Sequence, residues 1–378
     1  MRSAATTLAG ITVILLSFGI VMLASTSNVK AAASYDDPHF FLKRQIVWLL
    51  ISIVIGAALT HFDYHWWQRL AIPLAVIAVI LLVLVLVPGI GTSVKGSRRW
   101  LRMSFISIQP SEIAKFASVI FMAAWMTRIG RKSQDFVVGL LVPLGVLGVI
   151  TGLMFKEPDF GTTVLTGAVG AGIMFVGGTR FLYMLGPALL ALAGFAFAVA
   201  RDDVRRERIL AFLMPEKYPE KAYHLAQSMI AFIMGGLKGV GFGDSAQKQH
   251  YLPEAHTDFI LAIIGEELGF GASLAVILLF AGILVCGMII SYKAPDTFGR
   301  YLAFGMTMML VLQACINVGV VTGCLPTKGL PLPFISYGGS SLAASVAMVC
   351  TLINIGRHCE NEQADDHTRL MKDSLHRF

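Results

Sequence analysis

The segment PEAHTDFILAIIGEELGFGASLAVILLFAGILVCGMII, residues 253–290, passes from a polar turn directly into a long apolar run. About 20 apolar residues are enough to cross the roughly 30 Å of hydrocarbon in a membrane. The run that starts at residue 259 therefore predicts a transmembrane helix. Asp258, the last polar residue before it, is expected where a membrane helix leaves water, and that position suits an enzyme that works at the bilayer surface.

The composition of the whole chain points the same way. Apolar residues make up 56% and charged residues 14% of the sequence, and the mean hydropathy is +0.72, which excludes a soluble domain with a charged surface. Apolar runs of spanning length lie at residues 8–24, 46–60, 72–87, 113–126, 136–155, 162–176, 182–200, 259–290, 301–322 and 342–355. We therefore predict an all-α polytopic bundle of about ten transmembrane helices, with both chain ends on one side.

The predicted membrane domain covers residues 1–359, and a polar tail at 360–378 is expected to be loose and cytoplasmic. One large extracytoplasmic segment, about residues 201–257, is too short to count as an independent domain. Within it, residues 223–237 carry apolar side chains three or four positions apart, which predicts an amphipathic helix. That helix either lies on the lipid headgroups or caps the bundle.

The first apolar run has two interpretations. Ala-Ala-Ala-Ser at residues 31–34 resembles the cleavage site of a signal peptide. However, the run at 8–24 is longer than the usual apolar core of a signal, and only Arg2 supplies positive charge before it. We predict a retained first helix.

Positive charge occurs on both sides of the predicted bundle, and the net charge is +7. Two basic clusters fall on the side opposite the chain ends. They are Lys95, Arg98, Arg99 and Arg102 after the third span, and Arg201, Arg205, Arg206 and Arg208 at the start of the long segment. Basic residues on the face that normally avoids them favour an anionic ligand, of which phosphate is the simplest. Nucleic acid is not expected, because the sequence has no soluble module or aromatic-basic groove.

Charged residues at membrane depth are costly unless they are paired. Glu112 and Lys115 are three residues apart, so they face each other across one helical turn. They form either an ion pair that lets the span enter lipid or a functional pair. Asp159 follows Pro158 at the entry to the sixth span, either as an N-cap or as a carboxylate that faces substrate.

The loop before the last span, LPTKGLPLPFISYGGSS at residues 325–341, contains three prolines and three glycines, which exclude a regular helix. The loop is apolar yet irregular, and irregular backbone at membrane depth needs protein or a cavity beside it. We therefore expect this loop to form a wall of the functional site, with Lys328 as its single cation.

Five motifs together resemble one known family. They are KGSRRW (95–100), QPSEIAK (109–115), EPDFGT (157–162), PEAHTDF (253–259) and FISYGGSS (334–341). In this order and spacing, over nearly the whole chain, they are similar to the motifs of the SEDS family (shape, elongation, division and sporulation). The sequence LPTKGLP at residues 325–331 is similar to the division branch of that family more than to its elongation branch.

The resemblance implies a peptidoglycan glycosyltransferase that polymerises lipid II outside the bacterial cytoplasmic (inner) membrane, in this branch at the division septum. Asp258 matches the family's essential aspartate and is expected to be the catalytic base. The implied partners are lipid II and the growing glycan strand, a class B penicillin-binding protein that crosslinks the strands, further division proteins, and membrane lipids.

The residues suit the chemistry of this reaction. The 4-hydroxyl of an acceptor GlcNAc must lose a proton as it attacks the anomeric carbon of a donor MurNAc, and undecaprenyl diphosphate leaves. Because diphosphate is a good leaving group, the reaction needs a base and a cation more than a second acid. No resident cofactor is expected, and a divalent cation, Mg²⁺ or Mn²⁺, is an alternative partner for the diphosphate. The candidate substrate-binding residues are Arg98, Arg99, Glu112, Lys115, Asp159, His256, Lys328 and Ser336.

Other function classes remain open at this point. A transporter that flips the lipid-linked precursor would also suit ten helices, the pair Glu112 and Lys115, and broken loops. A transporter should place its key charges near the midplane, whereas Asp258 is expected at the end of a span. A scaffold for division partners would make Asp258 replaceable, and a polymerase of the elongation branch is a further alternative.

Overall fold

The computed structural model describes residues 2–94, 97–103, 106–249, 252–327 and 329–375. Within these residues the chain forms twelve α-helices and three short β-strands. The helices are α1 (Arg2–Tyr35), α2 (Phe40–His61), α3 (His65–Leu86), α4 (Pro110–Ile129), α5 (Val142–Lys156), α6 (Phe160–Val176), α7 (Phe181–Arg201), α8 (Asp203–Leu213), α9 (Pro219–Gly235), α10 (Ile260–Lys293), α11 (Thr297–Val321) and α12 (Gly339–Leu375). The strands are β1 (Gly91–Val94), β2 (Ser97–Met103) and β3 (Ile106–Ile108).

The described part of the chain contains nine helices that are long and apolar enough to cross a membrane. They correspond to α1 to α5, α7 and α10 to α12. The sixth predicted span is α6, which is apolar but has 17 residues. At a rise of 1.5 Å per residue this helix is about 25 Å long. All ten predicted spans are therefore helical, and the prediction of an all-α, multi-pass membrane protein is confirmed.

The bundle has an interior and a lipid-facing surface. Within an apolar stretch of 18 residues in each helix, 72% of the residues are buried in α12 and 61% in α4 and in α11, whereas none is buried in α7. Leu182 and Leu190 on α7 are 77% and 75% exposed. Such apolar exposure is expected where a helix faces lipid and satisfies its own backbone hydrogen bonds.

Helices α1 and α12 run antiparallel. Near the start of α1, the Cβ of Ala5 lies 3.2 Å from the position that a Cβ on Gly356 would take. Further along α1, a Cβ on Gly19 would lie 2.6 Å from the carbonyl oxygen of Phe334, just before α12. The start of α1 and the later part of α12 thus share one end of the bundle, as an even number of spans requires.

The run at 259–290 is not one uninterrupted helix. Gly269 has φ 78° and ψ −174°, which breaks the helical hydrogen bonding and separates a short segment, 260–268, from the long one, 270–293. The turn at 236–241 fills the break. Its hydrogen bonds run from Val240 N to Glu266 O (2.9 Å), from Gly241 N to Glu267 O (3.1 Å) and from Phe270 N to Gly236 O (2.9 Å). The backbone groups freed by the kink are therefore satisfied inside the protein.

The helix predicted at 223–237 is α9, and it begins four residues earlier, at Pro219. One face of α9 packs on the bundle, because Ser228 Oγ donates to Val321 O at 2.7 Å and Ala231 is fully buried. Ile233 is 78% exposed. The helix therefore packs on the bundle with one face and leaves apolar side chains exposed on the other, and its contact with lipid headgroups stays a prediction.

A small antiparallel sheet follows α3, with Thr92 of β1 opposite Trp100 of β2 and Leu101 of β2 opposite Ile108 of β3. It lies at the bundle end where α3 finishes and α4 begins.

After residue 359 the backbone stays helical to Leu375, and the loose, cytoplasmic tail stays a prediction. Neither Gly nor Pro occurs after Gly356, so no helix-breaking residue ends α12 earlier.

Candidate active site

A cavity of about 630 Å³ opens at the bundle end that carries the small sheet. Its walls come from β2, the start of α4, the turn between α5 and α6, helices α8 and α9, the segment before α10, and the loop between α11 and α12. The lining residues include Arg99, Trp100, Glu112, Asp159, Arg208, His224, Asp258, Gly329 and Tyr337. The volume lies within the range of about 300–1,000 Å³ that is usual for ligand sites.

Asp258 lies two residues before α10, and its half-buried side chain lines the cavity. Its backbone carbonyl accepts a hydrogen bond from Asn317 Nδ2 at 2.8 Å. Gly329 lies directly against the carboxylate, because a Cβ at that position would be 2.6 Å from Asp258 Oδ2. The close approach of backbone to carboxylate therefore depends on glycine at residue 329.

Two amide side chains of α11, one helical turn apart, hold the loop that carries Gly329. Asn317 Nδ2 also donates to Leu330 O at 2.7 Å, and Gln313 Nε2 donates to Pro331 O at 2.8 Å. Both amides are almost fully buried. Asn317 thus ties the backbone of Asp258 to the loop opposite it. Gln313 and Asn317 are not among the residues predicted from the sequence, although polar amides inside an apolar span are a signal of such a role.

Glu112 and Lys115 form the predicted ion pair, with Lys115 Nζ 2.8 Å from Glu112 Oε2. Lys115 is 1% exposed and also donates to Gln313 Oε1 at 2.7 Å. Glu112 reaches the cavity wall, whereas Lys115 is not among its lining residues. The pair is therefore linked through Gln313 to the loop at 329–331, and Lys115 lies behind the cavity wall.

Asp159 is the N-cap of α6, as one interpretation of the sequence predicts. One carboxylate oxygen accepts from Thr162 N at 3.4 Å, and the other accepts from Gln109 Nε2 at 3.2 Å and from Ser111 Oγ at 3.4 Å. The side chain lines the cavity but is only 3% exposed. Asp159 thus joins the starts of α4 and α6, and its carboxylate is already surrounded by donors.

The arginines of β2 differ from each other. Arg99 lines the cavity, and its Nε donates to Glu157 O at 3.0 Å, while its terminal nitrogen donates to Pro158 O. Arg98 is exposed and is not part of the wall. Arg208 of α8, which was not among the predicted site residues, does line the cavity. Lys328 lies outside the described residues.

Glu157, in the turn between α5 and α6, is 0% exposed, and neither of its carboxyl oxygens has a hydrogen-bond partner among the described residues. Burial, and secondarily the nearby negative charge of Asp159, raises the pKa of Glu157 to about 8, against the opposing effect of Arg99. The carboxyl is therefore largely protonated at neutral pH. The raised pKa of Glu157 could not be predicted from the sequence, because it depends on how tightly β2 and the turn pack together.

His256 and Ser336 lie behind the cavity wall. His256 is 4% exposed and packs against the rings of Phe41 and Tyr337, with centroids 4.8 and 5.9 Å away. Ser336 Oγ donates to Thr257 O at 2.6 Å and accepts from Leu332 N at 2.8 Å. Both side chains connect the segment before α10 to the loop between α11 and α12. Their contact with substrate stays a prediction.

Four acidic residues from three parts of the chain line the cavity, namely Glu254 and Asp258 before α10, Glu112 of α4 and Asp159 before α6. Across the described ranges, no group of three or more His, Cys, Asp or Glu side chains is placed to hold a metal ion. Glu112 and Asp159 are also engaged by protein donors, as described above. Within the described residues, protein ligands alone therefore do not form a complete cation-binding site.

Residues 6–361 match the family model for cell cycle proteins of the FtsW, RodA and SpoVE type. The chain belongs to this family. A relative in Trichlorobacter lovleyi, named probable peptidoglycan glycosyltransferase FtsW, is 44% identical over 91% of this chain and 90% of its own length. A relative of the same name in Legionella pneumophila is 38% identical over 90% of this chain and 88% of its own length.

Solved structures share the fold. One, described as showing structural coordination of polymerization and crosslinking by a peptidoglycan synthase complex, has a TM-score of 0.77 at 26% identity and covers 93% of this chain and 97% of that chain. The rod shape determining protein RodA of Thermus thermophilus has a TM-score of 0.67 at 24% identity, over 93% of this chain and 95% of that chain. The resemblance to the SEDS family, and within it to FtsW, is confirmed.

Proposed function

We propose that the protein is a peptidoglycan glycosyltransferase that polymerises lipid II for septal cell-wall synthesis, with Asp258 as the general base. The observation that carries this proposal is the placement of the Asp258 carboxylate in a cavity of about 630 Å³ at one end of a membrane bundle. A carboxylate there can meet a substrate held in the bilayer by its lipid tail and can exchange protons with water. The FtsW relatives named as peptidoglycan glycosyltransferases support the reaction class.

In the proposed reaction, Asp258 takes the proton of the acceptor GlcNAc 4-hydroxyl as that oxygen attacks the anomeric carbon of the donor MurNAc. The bond between this carbon and the diphosphate oxygen breaks, and undecaprenyl diphosphate leaves with the electron pair. Arg99 and Arg208 line the same cavity, and a guanidinium can bind two phosphate oxygens at once. Lys328 stays a predicted third cation.

The surroundings of Asp258 suit a base that must hold its position. The N-terminal end of the helical segment 260–268 favours a negative charge two residues before it. Asn317 fixes the backbone of Asp258, and Gly329 limits the space beside its carboxylate. A reacting group held in this way needs less reorganisation during the reaction.

In the proposed orientation the Asp258 cavity faces the outside of the bacterial cytoplasmic membrane, and both chain ends lie in the cytoplasm. Lipid II would then be used on the side where the cell wall grows. A class B penicillin-binding protein is the proposed partner at the septum, and a solved structure that concerns both polymerization and crosslinking supports such a pairing.

The test uses purified protein, fluorescent lipid II and the variant Asp258→Asn, which keeps the size of the side chain and removes the base. Because a general base contributes on the order of 10² to 10⁴ in rate, glycan polymerisation should fall by at least about 100-fold. The matched control is Asp63→Asn, since Asp63 lies in a turn at the opposite end of the bundle and contacts His65. Equal glycan chain formation by Asp258→Asn and the unchanged protein would defeat the proposal.

The transporter alternative is tested on the same preparations. Lipid II flipping is measured in liposomes, next to polymerisation. A protein that moves lipid II across the bilayer and forms no polymer under any condition, including with its transpeptidase partner present, would favour the transporter instead.

A further inference from the structure

A second cavity, of about 320 Å³, lies between α3 and α4. It is lined by Gln68, Arg69, Ile72, Phe121, Trp125 and Arg128, among others. Arg69 is near the start of α3, and Arg128 is in the last turn of α4. Because α3 ends and α4 begins beside the Asp258 cavity, this second cavity faces the other surface of the membrane.

The second cavity carries positive charge that its own wall does not neutralise. No carboxylate is among its lining residues. Asp63, the nearest acid before α3, contacts His65 Nδ1 at 2.7 Å. Arg69 rests over the ring of Trp66 at 5.0 Å, and both Arg69 and Arg128 are exposed. Two guanidinium groups placed in this way favour an anion that can accept several hydrogen bonds.

The depth of the cavity indicates where the anion comes from. Helix α3 has 22 residues, about 33 Å, and Arg69 is four residues, or about 6 Å, from its start. This is the level at which the headgroups meet the roughly 30 Å of hydrocarbon. Below the arginines the wall is apolar, with Ile72 54% exposed on the outside and Phe121 6% exposed inside. Trp125 Nε1 donates to Val138 O at 3.0 Å, so the indole is held in place.

We propose that this cavity binds the phosphate of an anionic membrane phospholipid, in the leaflet opposite the one that faces the Asp258 cavity. Arg69 and Arg128 hold the phosphate oxygens, and the apolar wall of Ile72 and Phe121 takes the first part of an acyl chain. A soluble phosphate would use the two arginines but would gain nothing from the apolar wall. The proposal is independent of the glycosyltransferase reaction.

The test is native mass spectrometry of the full chain in detergent, titrated with phosphatidylglycerol or phosphatidylcholine carrying the same acyl chains. The protein should retain phosphatidylglycerol about tenfold or more tightly than phosphatidylcholine. Both lipids carry a phosphate, but the quaternary ammonium of phosphatidylcholine cancels its negative charge and is repelled by the two guanidinium groups, whereas phosphatidylglycerol keeps a net negative charge. The double variant Arg69→Gln with Arg128→Gln should lose this preference. The matched control is Arg180→Gln, an exposed arginine at the same membrane face that lies 5.6 Å from the ring of Tyr183.

Equal retention of the two lipids by the unchanged protein would overturn the proposal without any variant. Loss of the preference in Arg180→Gln to the same extent would show general surface charge and would also overturn it. Inorganic phosphate should not displace the bound lipid, and full displacement would assign the cavity to a soluble anion. Thermal unfolding of each variant checks folding, and the two single substitutions, each with an intermediate loss, replace the double variant if it is unstable.

Discussion

Gly329→Ala gives a direct test of how the loop positions the base. The added methyl carbon would lie 2.6 Å from Asp258 Oδ2, whereas ordinary van der Waals contact begins at 3.4 Å. Either the carboxylate or the loop must then move by about 0.8 Å. Since a misplacement of about 1 Å can cost on the order of 10² in rate, we expect kcat for polymerisation to fall by about 30- to 100-fold, or about 2.0 to 2.7 kcal/mol.

The assay is the rate of glycan formation from fluorescent lipid II at saturating substrate, with KM measured in parallel. The matched control is Gly338→Ala in the same loop, where the new methyl would meet only Ser341 Cβ, at 3.5 Å. This control should change kcat far less. If Gly329→Ala polymerises lipid II at the unchanged rate, the close approach of residue 329 to Asp258 has no catalytic importance and the reasoning is refuted.

Three further substitutions test the supports of the site. Asn317→Leu removes the side-chain donor to Asp258 O and Leu330 O, so thermal unfolding should show a loss of about 2–4 kcal/mol, and an unchanged Tm contradicts this. Lys115→Met leaves Glu112 buried without its partner at 2.8 Å, which should lower the free energy of unfolding by about 3–5 kcal/mol. Adding Glu112→Gln to the same chain should restore part of this stability. A double variant no more stable than Lys115→Met would argue against the pair. Glu157 has its pKa raised from 4.5 to about 8, so the stability from its buried neutral form is complete below pH 4.5 and is lost as pH rises to about 8. Glu157→Gln should therefore stabilise the protein relative to the unchanged chain more at pH 9 than at pH 5, by a few kcal/mol at most, and parallel Tm curves would contradict the assignment.

Features set by neighbours in the sequence were predictable. The apolar runs gave the spans, because burial in lipid depends on an uninterrupted length of apolar side chains. The ion pair of Glu112 with Lys115 and the N-cap of Asp159 follow from spacings of three residues within one helical turn. The loop at 325–341 was recognised from its prolines and glycines, and it does form a wall of the cavity.

Features set by distant parts of the chain were not predictable. The kink at Gly269 was missed, because a single glycine in an apolar run breaks a helix only when another segment satisfies the freed backbone groups, here the turn at 236–241. Arg98 and Arg99 are adjacent residues of the same type, yet only Arg99 reaches the cavity. Consecutive side chains of a strand point to opposite faces of the sheet, and which face meets the cavity depends on how the sheet packs against the turn at 157–159.

The sequence by itself determined that the chain spans the membrane as a helical bundle, that it carries the motifs of the SEDS family, and that Asp258 lies at the edge of a span. These properties follow from local hydrophobicity and short-range spacing. Only the tertiary structure decided which groups surround Asp258. Asn317 and Gly329, which contact it, and Arg208, which lines the same cavity, come from different helices and loops and converge through packing. It also decided the raised pKa of Glu157, since desolvation of a carboxyl depends on the surrounding protein and not on its neighbours in the sequence.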